Sequence, residues 1–321
     1  MPGHHSVTVH FTQAILEAAL RHGVAVPDAL RVSLTQSARV PMAQQDVLWT
    51  LFSSGAQDPL AALRVGTDLQ AGQLDVVGML LLSCDTLGDG MEVLAEYAPI
   101  VGDNARFEVV PDAPGVALRY LPDYTVCLEQ RVEAALGCVV CLSRWMTNGR
   151  FCPREVHFTH APRAQTADYE ALLGCPVRFG QPFNAVLMDA GELAHRLIQA
   201  GKSMHAHLRR LADEMLQSLV QGSVSAQVRQ LIRDNPRWGK ERIGEQLGMS
   251  GRNLNRKLAA DAISFKGLRE ALIYDMSVQA LLSGQGVSAV SEKMGFSDES
   301  AFSRAFRRWS GQTPAQFVRA G

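Results

Sequence analysis

The sequence predicts two folded parts of different class, an α/β or α+β unit followed by an all-α unit. Its 321 residues are enough for about two domains, and an apolar content of 47% can form their cores. Strand-like alternation occurs only between residues 105 and 189, whereas helical periodicity dominates the last hundred residues. The charge is also divided. Residues 222–321 carry 15 Lys and Arg against 9 Asp and Glu, so the net charge of −1 conceals +6 there and −7 before it.

The first hundred residues are predicted to be helical. Apolar residues such as Ile15, Leu16 and Ala19 have helical spacing, and glycines and prolines divide the stretch into several short helices. Residues 72–101 read as two helices broken at residues 87–90, with Thr86 or Asp89 available to cap the second.

A small sheet is predicted from four runs rich in β-branched or aromatic residues. These runs are residues 105–110, 115–122, 155–162 and 177–189. The apolar helix predicted at residues 127–146 would cover one face of that sheet, so residues 1–190 form one unit. Residues 191–221 are predicted as a helical linker, and residues 222–321 form the second unit. In the linker, the stripe Leu208, Leu211, Met215 and Leu219 fits a homodimer seam or packing on its own domain equally well.

Motifs for catalysis or metal binding are weak, so no catalytic residue, cofactor or metal ligand is assigned. Cys138 and Cys141 form a C-x-x-C inside an apolar helix without a second pair, which favours buried thiols over a metal or redox site. The Gly201-Lys202-Ser203 triplet lacks the earlier glycine of a phosphate loop. The sequence predicts a cytoplasmic protein, because its cysteines are scattered and it shows no secretory signal and no stretch able to span a membrane.

The basic part contains an internal near-repeat. Residues 243–250 align with residues 290–297 at an offset of 47, and residues 254–258 align with residues 302–306 at an offset of 48. Each copy has the form of a helix-turn-helix, with a glycine at the turn (Gly248 or Gly295) and a serine predicted to cap the second helix (Ser250 or Ser297).

The second helix of each copy has two faces. Apolar residues recur at i and i+4, as Leu254 and Leu258 or as Phe302 and Phe306, and they must face the core. The opposite face carries residue types that read the edges of DNA bases. They are Arg252, Asn255 and Arg256 in the first copy, and Glu299, Ser303 and Arg304 in the second.

A predicted helix at residues 265–283 separates the two copies. Its length of roughly 28 Å is close to one turn of B-DNA, about 34 Å, so two recognition helices could enter successive segments of the major groove. A plain helical bundle with a solvated basic face is the alternative reading, and the paired motifs with their local positive charge favour DNA binding.

The runs GFSDESAFSRAFRRWSGQTPAQF (295–317) and LGMSGRNLNRKL (247–258) closely resemble the two helix-turn-helix halves of the AraC/XylS family of bacterial transcription regulators. The stretches REVHFTHAP (154–162) and YEALLGCPVRFGQPFNAVLMD (169–189) resemble the arabinose-binding-type effector domain of one branch of that family. The resemblance implies an N-terminal effector domain followed by a DNA-binding domain.

The resemblance also implies roles for individual residues. Arg252, Asn255, Arg256, Glu299, Ser300, Ser303 and Arg304 would face bases, with Arg256 and Arg304 the strongest candidates, and Lys257, Arg307 and Arg308 would contact phosphates. Tyr274 stands where the family often has Arg, so a phosphate contact from the intervening helix is not expected. Gly251, at the start of the first recognition helix, has low helix propensity and could let its first turn fray.

These observations predict a regulator, not an enzyme, that binds promoter DNA and responds to a small-molecule effector of unknown identity. The expected partners are double-stranded DNA, the effector, RNA polymerase if the protein activates, and a second copy of the chain. The expected location is the bacterial cytoplasm, at the nucleoid when bound to DNA. Two alternatives remain open at this point: an enzyme or redox or metal sensor with an attached DNA-binding module, and a DNA binder without an effector.

Overall fold

The computed structural model describes residues 5–222, 224–260, 263–282 and 284–320. The chain folds as two compact units, one of residues His5–Gln217 and one that begins at Ser218 and continues to the C-terminus. Within the described ranges, no helix is both long enough and apolar enough to cross a membrane.

The first unit combines helices with two sheets. Its helices are α1 (Val9–Arg21), α2 (Asp28–Ser33), α3 (Met42–Gly55), α4 (Ala61–Asp68), α5 (Asp75–Ser83), α6 (Leu87–Val101), α7 (Leu128–Met146) and α8 (Thr166–Leu173). Its strands are β1 (Ser6–Thr8), β2 (Arg39–Pro41), β3 (Ala105–Asp112), β4 (Gly115–Pro122), β5 (Glu155–His157), β6 (Val177–Arg178) and β7 (Asn184–Met188).

Five of these strands form the predicted sheet, in the order β3-β4-β7-β5-β6. Strands β3 and β4 pair antiparallel from Ala105 opposite Pro122 to Asp112 opposite Gly115. The other two runs were predicted too long. Residues 155–162 supply a strand of only three residues, and residues 177–189 divide into β6 and β7. Helix α7 packs on β4 and β7 and covers the sheet as predicted.

The break between α5 and α6 lies earlier than predicted. The sequence Leu-Gly-Asp-Gly at residues 87–90 is the first turn of α6 and not a loop. Thr86 and Asp89 form a reciprocal capping box in which Thr86 Oγ1 accepts from the backbone N–H of Asp89 at 3.2 Å. That box satisfies the free N–H groups at the helix start, which is why a glycine-containing segment can be helical.

The segment predicted as a helical linker also differs in detail. Residues Ala190–Ala194 form a 3-10 turn, and α9 begins only at Lys202 and runs to Gly222. Most of α9 belongs to the first unit, and its last residues belong to the second.

The second unit is entirely helical in its described part. After α9 it contains α10 (Val224–Asp234), α11 (Lys240–Gln246), α12 (Gly251–Ala260), α13 (Phe265–Leu282), α14 (Val287–Lys293), α15 (Glu299–Ser310) and α16 (Pro314–Ala320). Helix α13 is the predicted separator between the two copies; Ser283, its predicted last residue, lies outside the described ranges. One apolar core, which includes Val228, Leu272, Phe302 and Phe306, joins these helices.

Candidate functional site

The first helix-turn-helix joins α11 to α12. Gly248 in its turn has a φ of 66°, a left-handed conformation that glycine adopts readily. Gly244 approaches the turn so closely that a Cβ there would lie 2.7 Å from the carbonyl oxygen of Met249. Ser250 caps α12 as predicted, because its hydroxyl accepts a hydrogen bond from the backbone N–H of Asn253 at 3.2 Å.

The second helix-turn-helix joins α14 to α15 with the same plan and a different cap. Gly295 has a φ of 80°, and a Cβ there would lie 3.0 Å from Cα of Arg237. The predicted cap, Ser297, is wrong: Asp298 accepts from the backbone N–H of Ala301 at 2.7 Å, and Ser297 donates to the Asp298 carboxylate at 2.9 Å. A carboxylate complements the positive end of the helix dipole better than a hydroxyl does. These hydrogen bonds lower the pKa of Asp298.

Each recognition helix is amphipathic in the predicted sense. Leu254, Leu258, Phe302 and Phe306 are fully buried. Nine of the ten predicted DNA-contact residues are exposed, and Ser303 is half-buried. The exposed residues are Arg252, Asn255, Arg256, Lys257, Glu299, Ser300, Arg304, Arg307 and Arg308.

Two of these basic side chains have partners on the protein. Arg256 donates to the side-chain oxygen of Asn253 at 3.0 Å, which restrains its guanidinium along α12. Arg308 donates to Glu270 of α13 at 2.7 Å, and this carboxylate offsets part of its charge.

Tyr274, at the position where the resembled family often has arginine, is part of the core packing. Its ring centroid lies 5.5 Å from that of Phe306 and 6.1 Å from that of Trp309. These contacts give Tyr274 a packing role beneath the second recognition helix.

A second candidate site lies inside the first unit. A pocket of about 130 Å³ is surrounded by residues of α1, α3, α5, α6, α7, β3 and β4. Its lining is mostly apolar and includes Phe11, Trp49, Leu81, Leu94 and Phe107. Its size is close to that of a cavity of roughly 150 Å³ that binds benzene in another protein, so it can accept a small apolar group.

A buried guanidinium stands at one side of this pocket. Arg131 is 6% exposed; its Nη1 donates to Asp46 at 2.7 Å, and its Nη2 donates to Gln45 at 3.2 Å and to the sulfur of Met42 at 3.0 Å. The guanidinium carbon lies 3.9 Å from the ring centroid of Tyr124. This side chain is held from several directions, so its position in the pocket is fixed.

Two tyrosine hydroxyls meet beside Arg131. The hydroxyl oxygens of Tyr120 and Tyr124 are 2.9 Å apart, and both residues line the pocket. Burial raises the pKa of each phenol, so both stay protonated at neutral pH.

Sequence reasoning did not find this polar group. Arg131, Ala135, Cys138 and Leu142 follow one another by four, three and four residues, and all four line the pocket. The sequence signal for this site was an arginine on the apolar stripe of a buried helix, where a charged residue is unusual. Its partners Gln45 and Tyr124 are distant in sequence, so only the fold brings them together.

Helix α6 lies between the pocket and α9. Its residues Gly90, Met91 and Leu94 line the pocket. On another side, Tyr97 donates to Asp213 at 2.5 Å and Glu96 accepts from Arg209 at 3.0 Å. The helix that continues into the second unit is therefore attached to a wall of the pocket.

Another buried polar pair joins α7 and α8. Tyr169 donates to Glu133 at 2.8 Å, and Glu133 is completely buried. Burial raises the pKa of Glu133 to about 7.

The cysteines of the C-x-x-C motif lie on α7. Cys138 is buried and lines the pocket, and burial raises the pKa of its thiol to about 12. In the ranges that the structure describes, no three His, Cys, Asp or Glu side chains are grouped to hold a metal ion.

Two helix-turn-helix motifs following a pocket-bearing α/β unit define a DNA-binding transcription regulator with a ligand-binding domain. The model for the arabinose-binding domain of the AraC transcription regulator matches residues 17–197, and a helix-turn-helix domain model matches residues 243–320. The chain therefore belongs to the AraC family of transcription regulators.

Individual relatives align with this chain over most of their length. The ornithine utilization regulator of Pseudomonas aeruginosa is 24% identical over 332 aligned positions, which cover 98% of this chain and 96% of that protein. The regulator VirS of Mycobacterium tuberculosis is 28% identical over 282 positions, which cover 81% and 78% of the two chains. The crystal structure of the transcriptional regulator CdpR from Pseudomonas aeruginosa has the same fold, with a TM-score of 0.51, 17% identity and coverage of 97% and 98%. All three of these proteins are named as regulators.

Proposed function

We propose that this regulator binds promoter DNA through α12 and α15 and that a small molecule in the pocket of its first unit controls this binding. The observation that carries the proposal is the pair of amphipathic recognition helices, each with a buried apolar face and an exposed polar and basic face. The N-terminal unit binds its ligand and does not transform it.

We assign base recognition to side chains on the outer faces of the two helices, all of them exposed except the half-buried Ser303. In α12 these are Arg252, Asn255 and Arg256, and in α15 they are Glu299, Ser300, Ser303 and Arg304. Arginine pairs bidentately with guanine and asparagine with adenine, while glutamate accepts from cytosine. Arg256 is oriented by Asn253 before DNA arrives, which favours it as a specificity residue.

We assign phosphate contacts to Lys257, Arg307 and Arg308. Such contacts add affinity and salt dependence without choosing a sequence. The ion pair between Arg308 and Glu270 weakens its attraction for phosphate, so Arg307 makes the larger contribution.

Control by the effector passes through α6. A ligand that moves Met91 or Leu94 shifts a helix that is hydrogen-bonded to α9 through Tyr97 and Glu96. Helix α9 extends from the first unit into the second. The ligand-free and ligand-bound states of the protein are therefore proposed to differ in how they present the DNA-binding unit to DNA. The ligand then changes the populations of these states.

The regulator is proposed to act as a homodimer at the nucleoid of a bacterial cytoplasm, and to contact RNA polymerase if it activates. The apolar stripe on α9 supports the dimer. Leu208, Leu211 and Leu219 are only partly buried, and Met215 is 37% exposed, so apolar surface remains for a second copy.

Selection of binding sites from random double-stranded DNA tests the DNA-binding part. The full-length protein is expected to select one bipartite sequence. Arg256→Ala and Arg304→Ala are expected to relax the choice of base at one position each, and Arg31→Ala, an exposed arginine on α2, is the matched control. Retention of wild-type sequence choice by both recognition-helix variants would refute the residue assignment.

A further inference from the structure

The lining of the pocket restricts the chemistry of its ligand. Most lining side chains are apolar, and Arg131 is the one charged residue among those described. The polar remainder is Gln45, Asn104, Tyr120, Tyr124 and Ser143. A sugar carries a hydroxyl on nearly every carbon, and too few partners are present to replace its water. A diamino acid carries two ammonium groups, and no described lining residue has a carboxylate to pair with them. Arabinose and ornithine, the compounds in the names of the family model and of one relative, are therefore poor matches.

The guanidinium of Arg131 is positioned to bind an anion. One of its terminal nitrogens is paired with Asp46, but the other donates only to the Gln45 amide and the Met42 thioether. A thioether is a weak acceptor, and a carboxylate is a much stronger one for a guanidinium. A carboxylate that replaced the sulfur contact would bind to a buried charge that is already positioned.

The tyrosine pair supplies a second donor. One hydroxyl donates to the other across 2.9 Å, and the proton of the accepting hydroxyl has no acceptor among the described residues. Because Tyr124 stacks on Arg131, this pair lies beside the guanidinium and offers its remaining O–H there, whichever hydroxyl donates to the other. An anion held by Arg131 can also accept from it.

We propose, building on the function proposed above, that the effector is a small apolar monocarboxylate whose carboxylate binds Arg131 and whose hydrocarbon part fills the apolar pocket. The volume of about 130 Å³ fits one aromatic ring or a short aliphatic chain. Phenylacetate and hexanoate are the probes with this size and charge.

Calorimetric titration of the full-length protein tests the class of ligand. Phenylacetate or hexanoate is expected to bind, and the neutral analogue 2-phenylacetamide is expected to bind about tenfold more weakly than phenylacetate because it lacks the charge. L-Arabinose and L-ornithine are expected to give no binding. If neither carboxylate binds, or if arabinose or ornithine binds in the pocket, the proposal is wrong.

Variants of pocket residues test where the carboxylate probe binds. Ala135 lines the pocket, so Ala135→Leu is expected to fill it and abolish binding of the carboxylate probe. Ala171→Leu makes the same change at an exposed position of α8 and is expected to bind normally. Tyr124→Phe keeps the ring on Arg131 and removes the hydroxyl, so binding is expected to weaken severalfold. Equal binding by the wild type and Ala135→Leu would place the carboxylate elsewhere and overturn the proposal.

The titration is independent of DNA, so the two proposals can fail separately. Binding that is lost in Ala135→Leu but does not change DNA affinity would support the assigned ligand class and refute effector control. A change in DNA affinity caused only by arabinose or ornithine, and lost in Ala135→Leu, would support effector control and refute the ligand class.

Discussion

Tyr97 donates a hydrogen bond to Asp213 across 2.5 Å and so links α6, a wall of the pocket, to α9. Burial is the main cause that raises the pKa of Tyr97, and the phenol stays protonated as a donor. The same tyrosine ring lies 5.9 Å from the guanidinium of Arg209. In the proposed control by the effector, this link is the route from the pocket to a helix that does not line it.

Loss of the Tyr97 hydroxyl is expected to loosen α9 from α6. Tyr97→Phe should lower the free energy of unfolding by about 1 to 3 kcal/mol, because a hydrogen bond to a carboxylate is lost. Hydrogen exchange of the α9 amides should become faster. Tyr169→Phe is the control, since it also removes a tyrosine hydroxyl bonded to a carboxylate, but on α8. Equal exchange of α9 in both variants would contradict the proposed link.

Arg304 and Arg307 on α15 are expected to differ in how they affect DNA binding. Arg304→Ala should reduce discrimination at one base pair by about 1 to 3 kcal/mol. Arg307→Ala should weaken binding to all sequences and reduce the slope of log affinity against log salt by about 1. Affinity measurements on the selected site and a single-mismatch series, at several salt concentrations, distinguish the two. Identical effects would contradict the division into base and phosphate contacts.

The turn glycines Gly248 and Gly295 are expected to tolerate alanine unequally. Both have positive φ, so each alanine variant should lose about 1 to 2 kcal/mol. At Gly248 no atom lies within 4 Å of an added Cβ, whereas at Gly295 the backbone of Arg237 lies at 3.0 Å. Gly295→Ala should therefore be the less stable protein in denaturant unfolding. A larger loss for Gly248→Ala would contradict this packing argument.

Glu133 is expected to make the first unit less stable as the pH rises. Burial raises its folded pKa from 4.5 to about 7, so the folded state holds a proton that the unfolded state releases between these values. Stability from this group is complete below pH 4.5 and is lost as the pH rises through 7, by about 3 kcal/mol. Glu133→Gln keeps the acceptor for Tyr169 and removes the titration. Denaturant unfolding at pH 5 and pH 8 should show a smaller difference in this variant, and an unchanged difference would exclude Glu133 as the cause.

The local patterns in the sequence were sufficient for much of the fold. Leu254 and Leu258 mark the buried side of α12 because their spacing depends on helical geometry alone. The cap at Asp298 was missed because serine and aspartate stand side by side, and the backbone angles decide which of them caps the helix. The β5 run extended too far because Phe158 is apolar and buried without belonging to a strand.

An effector domain was predicted, but the residues of its pocket were not, for a different reason. Arg131 lies 86 residues from Gln45 and 85 residues from Asp46, and no local rule connects residues so distant. Its placement on the apolar stripe of α7 could have identified it as a buried charge in need of partners. The partners themselves depend on how α3 and α7 pack.

The different caps of the two recognition helices bear on how operators can change over evolutionary time. Helix α15 starts with a carboxylate cap, whereas α12 starts with a serine cap followed by Gly251, whose low helix propensity favours fraying. If α12 and α15 contact DNA as proposed, α15 is expected to be the more rigid recognition helix and α12 the more adaptable one. Among the promoters that this regulator binds, we expect the half read by α15 to be nearly constant and the half read by α12 to vary.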